Sequence, residues 1–137
     1  MEVRRILIGV DGSENSLRAV QFGADLALRY EARLTLLLAI APSEATLFSG
    51  KDTYLPENEG IHQIRLRKAL DIARERGVEA DERVELDHPA KAICEASKEH
   101  DIVVLGSRGL SGVRGFLMGS VSNKVVHHCK VPVVVVP

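Results

Sequence analysis

The sequence predicts one α/β domain, residues 1–137, with a doubly wound, mainly parallel sheet of five strands and four helices. Five short runs are rich in Ile, Leu and Val, and the segments between them carry apolar residues at helical spacing. Strands and helices therefore alternate along the chain, which favours right-handed crossovers and a parallel sheet. A length of 137 residues is typical of a single domain.

Five strands are expected at residues 5–10, 34–40, 78–86, 102–106 and 131–136. Four of these runs are almost continuously apolar, which is typical of strands that are covered on both faces of a parallel sheet. The third run alternates, because Glu85 separates Val84 from Leu86. This alternation predicts an edge strand with one solvated face.

Four helices are expected around the apolar stripes at residues 17–28, 62–73, 90–97 and 121–125. Asp11 or Ser13 is placed to cap the first helix, and Gly77 is placed to end the second. Pro89 suits the first turn of the third helix. Residues 42–58, which are rich in polar residues and turn formers, are expected to form a long surface loop.

The composition excludes several classes of protein. A formal net charge of −1 provides no basic field, so nucleic acid is not an expected partner. The apolar run before Asp11, residues 6–10, has only five residues, too few for a secretory or membrane segment, so a cytoplasmic protein without membrane attachment is expected. Cys94 and Cys129 lie in no C-x-x-C pair, and buried packing in a reducing compartment is favoured over redox or metal chemistry.

The strongest candidate for a binding site is the loop that follows the fourth strand. Glycines occur there at positions 106, 109, 112, 115 and 119, and backbone N–H groups can approach a phosphate closely where no Cβ intervenes. Ser120 is placed to start the last helix, so that its hydroxyl and the N–H groups of Val121, Ser122 and Asn123 face an anion. The alternative is a flexible connection in which the glycines only form turns.

Two better-known phosphate-binding patterns do not occur. The chain has no G-x-x-x-x-G-K-[ST] sequence, and its first strand leads into Gly9-x-x-Gly12 rather than G-x-G-x-x-G. Neither a P-loop NTPase nor a dinucleotide-binding Rossmann domain is therefore supported. Consecutive helical positions point about 100° apart, so His127, His128 and Cys129 are not expected to bind one metal ion.

The spacing Gly106-x2-Gly109-x9-Gly119-Ser120 resembles the nucleotide-binding signature of the universal stress protein family, in its ATP-binding, single-domain form. The opening segment, residues 6–13, and the last strand are similar to the same family. The resemblance implies strand order 3-2-1-4-5, with the turns after strands one and four side by side. It also implies a homodimer joined along the C-terminal strand.

The resemblance further implies a set of ligand-binding residues. Gly9, Val10 and Asp11 would line the adenine and ribose side, and Ala39 would close over the base. The residues implied to hold the phosphates are Gly106, Gly109, Gly119, Ser120, Val121 and Ser122, with Arg108 nearby. Asp11 would contact ribose or, through water, a Mg²⁺ ion on the nucleotide. Where the family often has Gly-x-Pro, this chain has Asp87-His88-Pro89, and Asp87 is interpreted as a helix cap.

Three functional classes stay open at this point. The favoured one is a stress-response or signalling protein in which ATP, or ADP or AMP, acts as a conformational ligand. The second is a slow ATP hydrolase or nucleotidyl-transfer enzyme, and the third is a dimeric interaction protein whose loop is empty. The loop offers no lysine of the P-loop type and no carboxylate to orient water, so no catalytic residue and no fast enzyme are expected.

Overall fold

The structure is a computed structural model that describes residues 1–42, 56–108 and 118–137. These residues form five strands and four helices in strict alternation. The elements are β1 (Arg5–Val10), α1 (Glu14–Tyr30), β2 (Arg33–Ile40), α2 (Pro56–Glu75), β3 (Ala80–Leu86), α3 (Pro89–Ser97), β4 (Ile102–Gly106), α4 (Ser120–His128) and β5 (Val133–Val136).

The sheet is entirely parallel and has the order β3-β2-β1-β4-β5. The predicted fold class and strand order are therefore confirmed. β3 lies at one edge, as its alternating pattern predicts, but its solvated face is the one that carries Val84 (51% exposed) and Leu86 (65% exposed). β5 forms the other edge, and its four valines are half-buried.

Side chains alternate between the two faces of the sheet, and each face carries one pair of helices. Ile6, Ile8 and Leu36 pack in one apolar cluster with α1 and α2. Leu7 and Val103 pack in a second cluster with α3 and α4. Continuous apolar strands are thus explained by burial on both faces.

The four predicted helices are found at the expected places, but α2 begins at Pro56, so residues 56–58 are helical and not part of a surface loop as expected. Ser13 is the N-cap of α1, and its side chain accepts a hydrogen bond from the Ser16 N–H (3.2 Å). Gly77 follows α2 with φ +84°, a left-handed conformation that glycine adopts without strain. The Val78 N–H then donates to the Ala73 carbonyl (2.9 Å), which closes the end of the helix and delays β3 to residue 80.

The interpretation of Asp87 as a helix cap is wrong. His88 occupies the N-cap position of α3, its side chain makes no capping hydrogen bond, and Pro89 stands in the first turn. One oxygen of Asp87 accepts a hydrogen bond from the adjacent His88 N–H (2.8 Å) instead. Proline suits the first turn because its missing N–H is one of the groups that stay unbonded there and because its φ angle is already set for a helix.

The expectation that both cysteines are buried packing residues is also wrong. Cys94 of α3 and Cys129, which directly follows α4, form a disulfide with a Cα–Cα distance of 5.0 Å. Both cysteines are half-buried. The pairing links two segments that are 35 residues apart in sequence but pack side by side on the same face of the sheet.

No helix within the three described ranges is both long enough and apolar enough to cross a membrane.

Candidate functional site: a cleft at the carboxyl end of the sheet

A cleft opens where β1, β2 and β4 end. β1 lies between β2 and β4, so the chain turns in opposite directions on either side of it. Open α/β sheets bind ligands at this kind of switch point. The lining residues are Gly9, Val10, Asp11, Ser16, Leu37, Ala39, Pro89, Ile93, Leu105, Gly106, Arg108, Gly119, Ser120, Val121 and Ser122.

Ten of the eleven predicted ligand-binding residues line this cleft. Gly109, the eleventh, lies outside the described residues, as do residues 43–55 of the predicted surface loop and residues 110–117 of the glycine-rich loop. The structure therefore brings together residues from β1, β2, β4 and the start of α4 that lie far apart in sequence.

The polar end of the cleft is formed by the start of α4. Gly119 is the N-cap, and the Asn123 N–H donates to the Gly119 carbonyl (3.0 Å). The hydrogen bonds of the helix thus begin at Asn123, which corrects the expectation that its N–H faces an anion. The N–H groups of Ser120, Val121 and Ser122 have no acceptor one turn earlier within the helix, and all three residues line the cleft.

Two short hydrogen bonds hold the start of α4 against the end of β4. The buried Ser122 hydroxyl donates to the Gly106 carbonyl (2.6 Å), and the Gly119 N–H donates to the Ser107 carbonyl (2.6 Å). Because the Ser122 hydroxyl proton is already donated, this residue can offer an anion only its backbone N–H. The first turn of α4 is thus positioned in advance of any ligand.

Gly106 was expected to let a phosphate approach the backbone, but the structure gives a different reason for a glycine at this position. A Cβ atom at this position would lie 2.7 Å from the backbone carbon of Asn15 and 2.8 Å from its carbonyl oxygen. The absent side chain therefore makes room for α1 rather than for a phosphate. At Gly9 a Cβ would meet only side-chain ends, the Cδ2 atom of Leu105 at 2.7 Å and the Cδ1 atom of Ile93 at 2.8 Å, so the constraint there is weaker than at Gly106.

A second part of the cleft lining is apolar. Its wall comes from β2, α3 and β4, through residues that the sequence did not single out as binding residues: Leu37, Pro89, Ile93 and Leu105. The sequence could have identified two of them by their position next to predicted binding residues. Leu37 points to the same face of the sheet as Ala39, and Leu105 directly precedes Gly106. A flat apolar ring fits between such walls.

Asp11 is the one carboxylate among the described lining residues. Its Oδ1 atom accepts a hydrogen bond from the Ser13 N–H (2.8 Å), and its own N–H donates to the Ser16 hydroxyl (3.4 Å). Arg108, at the end of β4, is the basic side chain among the lining residues. The described residues contain no group of three or more His, Cys, Asp or Glu side chains that could hold a metal ion. A magnesium ion here would therefore need ligands from the bound molecule.

The sequence model of the Universal stress protein family matches residues 2–137, which is nearly the entire chain. The chain belongs to the universal stress protein family. The predicted resemblance is thereby confirmed.

Curated members of the family show the same relationship. The chain is 32% identical to universal stress protein YxiE of Bacillus subtilis over 145 aligned residues, covering 96% of this chain and 97% of that protein. It is 34% identical to a universal stress protein of Mycobacterium tuberculosis over 130 residues, covering 95% of this chain but 44% of that protein. The chain thus spans less than half the length of the Mycobacterium tuberculosis protein.

Among solved structures, a universal stress protein in complex with cAMP is similar over 99% of this chain and 98% of that one. The two share 30% sequence identity with a TM-score of 0.75.

Proposed function

We propose that this protein binds an adenine nucleotide, with ATP as the ligand, in the cleft at the carboxyl end of the sheet. One observation carries the proposal: the cleft joins an apolar wall to the first turn of a helix and an arginine. Adenine needs the apolar wall, and a phosphate needs backbone N–H groups at a helix N-terminus. The cAMP complex of a relative with 30% identity supports the same class of ligand.

In the proposed complex, Gly9, Val10 and Asp11 contact adenine and ribose, and Ala39 closes over the base. The phosphates lie against the remaining predicted residues: Gly106, Arg108, Gly109, Gly119, Ser120, Val121 and Ser122. A Mg²⁺ ion, when present, is held by phosphate oxygens and reaches Asp11 through water. Since one carboxylate alone cannot fix such an ion, it arrives with the nucleotide.

We also propose that the nucleotide acts as a ligand rather than as a substrate, in a stress-response or signalling protein of the cytoplasm. The described lining residues include one carboxylate, Asp11, and its Oδ1 atom already accepts a hydrogen bond from Ser13. A slow hydrolase or nucleotidyl-transfer enzyme is the alternative.

Phosphate release separates these two possibilities. With saturating Mg-ATP, the rate of phosphate release should stay far below ~1 s⁻¹, the low end of ordinary enzymes. Faster release that Asp11→Asn abolishes would identify an enzyme.

The deciding experiment is calorimetric titration with Mg-ATP of the wild type and of Gly119→Val. A side chain at Gly119 would obstruct the first turn of α4, and the loss of two charged hydrogen bonds at about 1.5 kcal/mol each would weaken binding by at least about 100-fold. Gly60→Val is the matched control, because a Cβ at Gly60 meets no atom within 4 Å. Equal affinity in all three proteins would reject the site.

Amide hydrogen exchange provides a direct map of the bound phosphates. ATP should slow exchange at the amides of Ser120, Val121 and Ser122, and a ligand that changes the conformation should also slow exchange elsewhere in α3 and α4. Protection that is confined to other parts of the sheet would place the nucleotide elsewhere.

We further propose a homodimer joined along β5. Within the described residues β5 pairs with β4 alone, and Val133–Val136 are only half-buried. An apolar edge strand of this kind readily pairs with a second chain. Light scattering at micromolar concentration should give twice the mass of one chain, and a monomer mass with nucleotide present would contradict the dimer.

A further inference from the structure

The disulfide between Cys94 and Cys129 lies on the two helices that border the cleft. Cys94 is adjacent to Ile93, which lines the cleft from α3. Cys129 directly follows α4, whose first turn lines the polar end of the cleft. The nine residues of α4 span about 14 Å at 1.5 Å per residue, so this helix joins the disulfide at one end to the cleft at the other.

The residues between the disulfide and the cleft are tightly packed. Val121, Val125 and Cys129 follow one another at four-residue spacing along one side of α4, and Val125 is fully buried. They belong to the same apolar cluster as Ala90 and Cys94 of α3. The Cys129 N–H also donates to the Val125 carbonyl (2.9 Å), so Cys129 continues the hydrogen bonding of the helix. Packing and helical hydrogen bonds thus connect the disulfide continuously to the first turn of α4.

The burial of the two cysteines is compatible with thiol–disulfide exchange. Both cysteines are half-buried rather than enclosed in the core. In the cytoplasm, where thiols are kept reduced, disulfides that do form are usually transient or redox-sensing. A disulfide that merely stabilised the fold would be expected in an oxidising compartment instead.

We propose that Cys94 and Cys129 form a thiol–disulfide exchange site whose oxidation state sets the affinity of the cleft for nucleotide. The oxidised pair holds α3 and α4 together and keeps the first turn of α4 facing the apolar wall. Reduction removes this covalent link and allows the two helices to separate. The coupling rests on the proposed nucleotide site, whereas the exchange chemistry rests on the proposed cytoplasmic location and not on that site.

The co-reactant is a cellular dithiol. One of its thiolates attacks one sulfur of the pair, the S–S bond breaks, and the other cysteine leaves as a thiolate that takes up a proton. The second thiol of the reductant then displaces the first cysteine from the mixed disulfide. In total the protein gains two electrons and two protons, and the dithiol is oxidised to a disulfide. Oxidation of the protein by a disulfide is the reverse reaction.

The coupling has a measurable size. Reduction should weaken Mg-ATP binding by about fivefold, the low end of ordinary coupling between two sites. Because coupling between two equilibria is reciprocal, saturating Mg-ATP should shift the thiol–disulfide equilibrium of the pair by the same factor. For a two-electron couple, this factor corresponds to about 20 mV.

The first experiment tests the exchange site without nucleotide. The wild-type protein is equilibrated in defined ratios of reduced and oxidised dithiothreitol, its free thiols are alkylated, and the two forms are counted by mass spectrometry. A single reversible transition between the disulfide and the dithiol is expected. A pair that never oxidises, or that no dithiol reduces in the folded protein, overturns the proposal.

The second experiment measures Mg-ATP affinity by calorimetry in the oxidised and reduced wild type and in the variant Cys94→Ser with Cys129→Ser. The variant should bind as weakly as the reduced protein, and dithiothreitol should not change its affinity. Chemical reduction of the wild type answers the same question if the variant does not fold. Equal affinity in the oxidised and reduced wild type overturns the coupling and leaves the nucleotide site intact, whereas no binding in either form rejects the nucleotide site itself and the coupling with it.

Discussion

The amino ends of β1 and β4 use their backbone groups differently from the carboxyl ends of the same strands. At the amino end, Oδ2 of Asp101 accepts hydrogen bonds from the Arg4 and Arg5 N–H groups, each at 2.9 Å. The Asp101 N–H donates in turn to the Arg5 carbonyl (2.8 Å). At the carboxyl end, the first three residues of α4 line a cleft instead, and their N–H groups have no acceptor one turn earlier within the helix.

This difference, taken with the proposed nucleotide site, predicts that one sheet divides stability from binding. Hydrogen bonds between neighbouring segments fix the amino end, whereas the carboxyl end carries the helix N-terminus at which the phosphates are proposed to bind. The donors stay in position because Ser122 and Gly119 bond to the backbone at the end of β4. Substitutions at the carboxyl end should therefore affect nucleotide affinity, and those at the amino end should affect only stability.

The largest effect is expected for Gly106→Ala at the carboxyl end. The new methyl group would lie 2.7 Å from the backbone of Asn15, so α1 and β4 must move apart. Overpacking of this kind lowers the free energy of unfolding by about 2 kcal/mol, and ATP affinity should fall with it because Gly106 lines the cleft. Urea unfolding and calorimetric titration measure the two effects.

Gly60→Ala is the matched control for this substitution. Gly60 lies in α2, and a Cβ there meets no atom within 4 Å. Alanine in a helix is more stable than glycine by up to about 1 kcal/mol, so this variant should be as stable as the wild type or more so. If Gly106→Ala behaved like Gly60→Ala, the close approach of α1 to β4 would not be a constraint on the fold.

A smaller effect is expected for Ser122→Ala. The substitution leaves the buried Gly106 carbonyl without the hydroxyl that donates to it at 2.6 Å, which should cost about 1 kcal/mol of stability. It should also weaken ATP binding by a few-fold, since the first turn of α4 is then held less firmly.

Thr35→Val provides the comparison at the amino end. Nδ1 of His100 lies 2.7 Å from the Ala96 carbonyl and therefore donates to it, so Nε2 accepts from the Thr35 hydroxyl (3.2 Å). Loss of that donor should cost stability of the same order, about 1 kcal/mol, while ATP affinity stays unchanged. A loss of affinity in Thr35→Val equal to that in Ser122→Ala would contradict the division between the two ends.

The sequence predicts the fold more completely than it predicts the site. Apolar runs locate the strands because both faces of the sheet are buried, whereas the resemblance to the family supplies the strand order. The reason for Gly106 could not be read from the sequence, because the space that it leaves is filled by Asn15, 91 positions earlier in the chain. The Cys94–Cys129 bond was missed for a similar reason, since it depends on how α3 and α4 pack.

The smallest effect is expected at Asp101, and it should depend on pH. Hydrogen bonds from the Arg4 and Arg5 N–H groups lower the pKa of this carboxyl below its ordinary value of 3.8. A carboxyl whose pKa is lower in the folded protein than in the unfolded chain stabilises the fold above the unfolded pKa, and this stabilisation is lost as the pH falls through the folded pKa. Asp101→Asn should therefore lower the melting temperature slightly and by a constant amount between pH 5 and 8. Below a pH of about 3.8 the difference from the wild type should shrink.

Asp81→Asn is the control for Asp101→Asn. Among the described residues Asp81 makes an exposed ion pair with Arg33 (3.3 Å), which contributes little to stability. Thermal unfolding followed by circular dichroism from pH 2.5 to 8 measures all three proteins, with ATP affinity at neutral pH as a second readout. A difference that grew as the pH fell would show that the ionised Asp101 does not stabilise the start of the sheet, and a loss of ATP affinity would show that the two ends of the sheet are not independent.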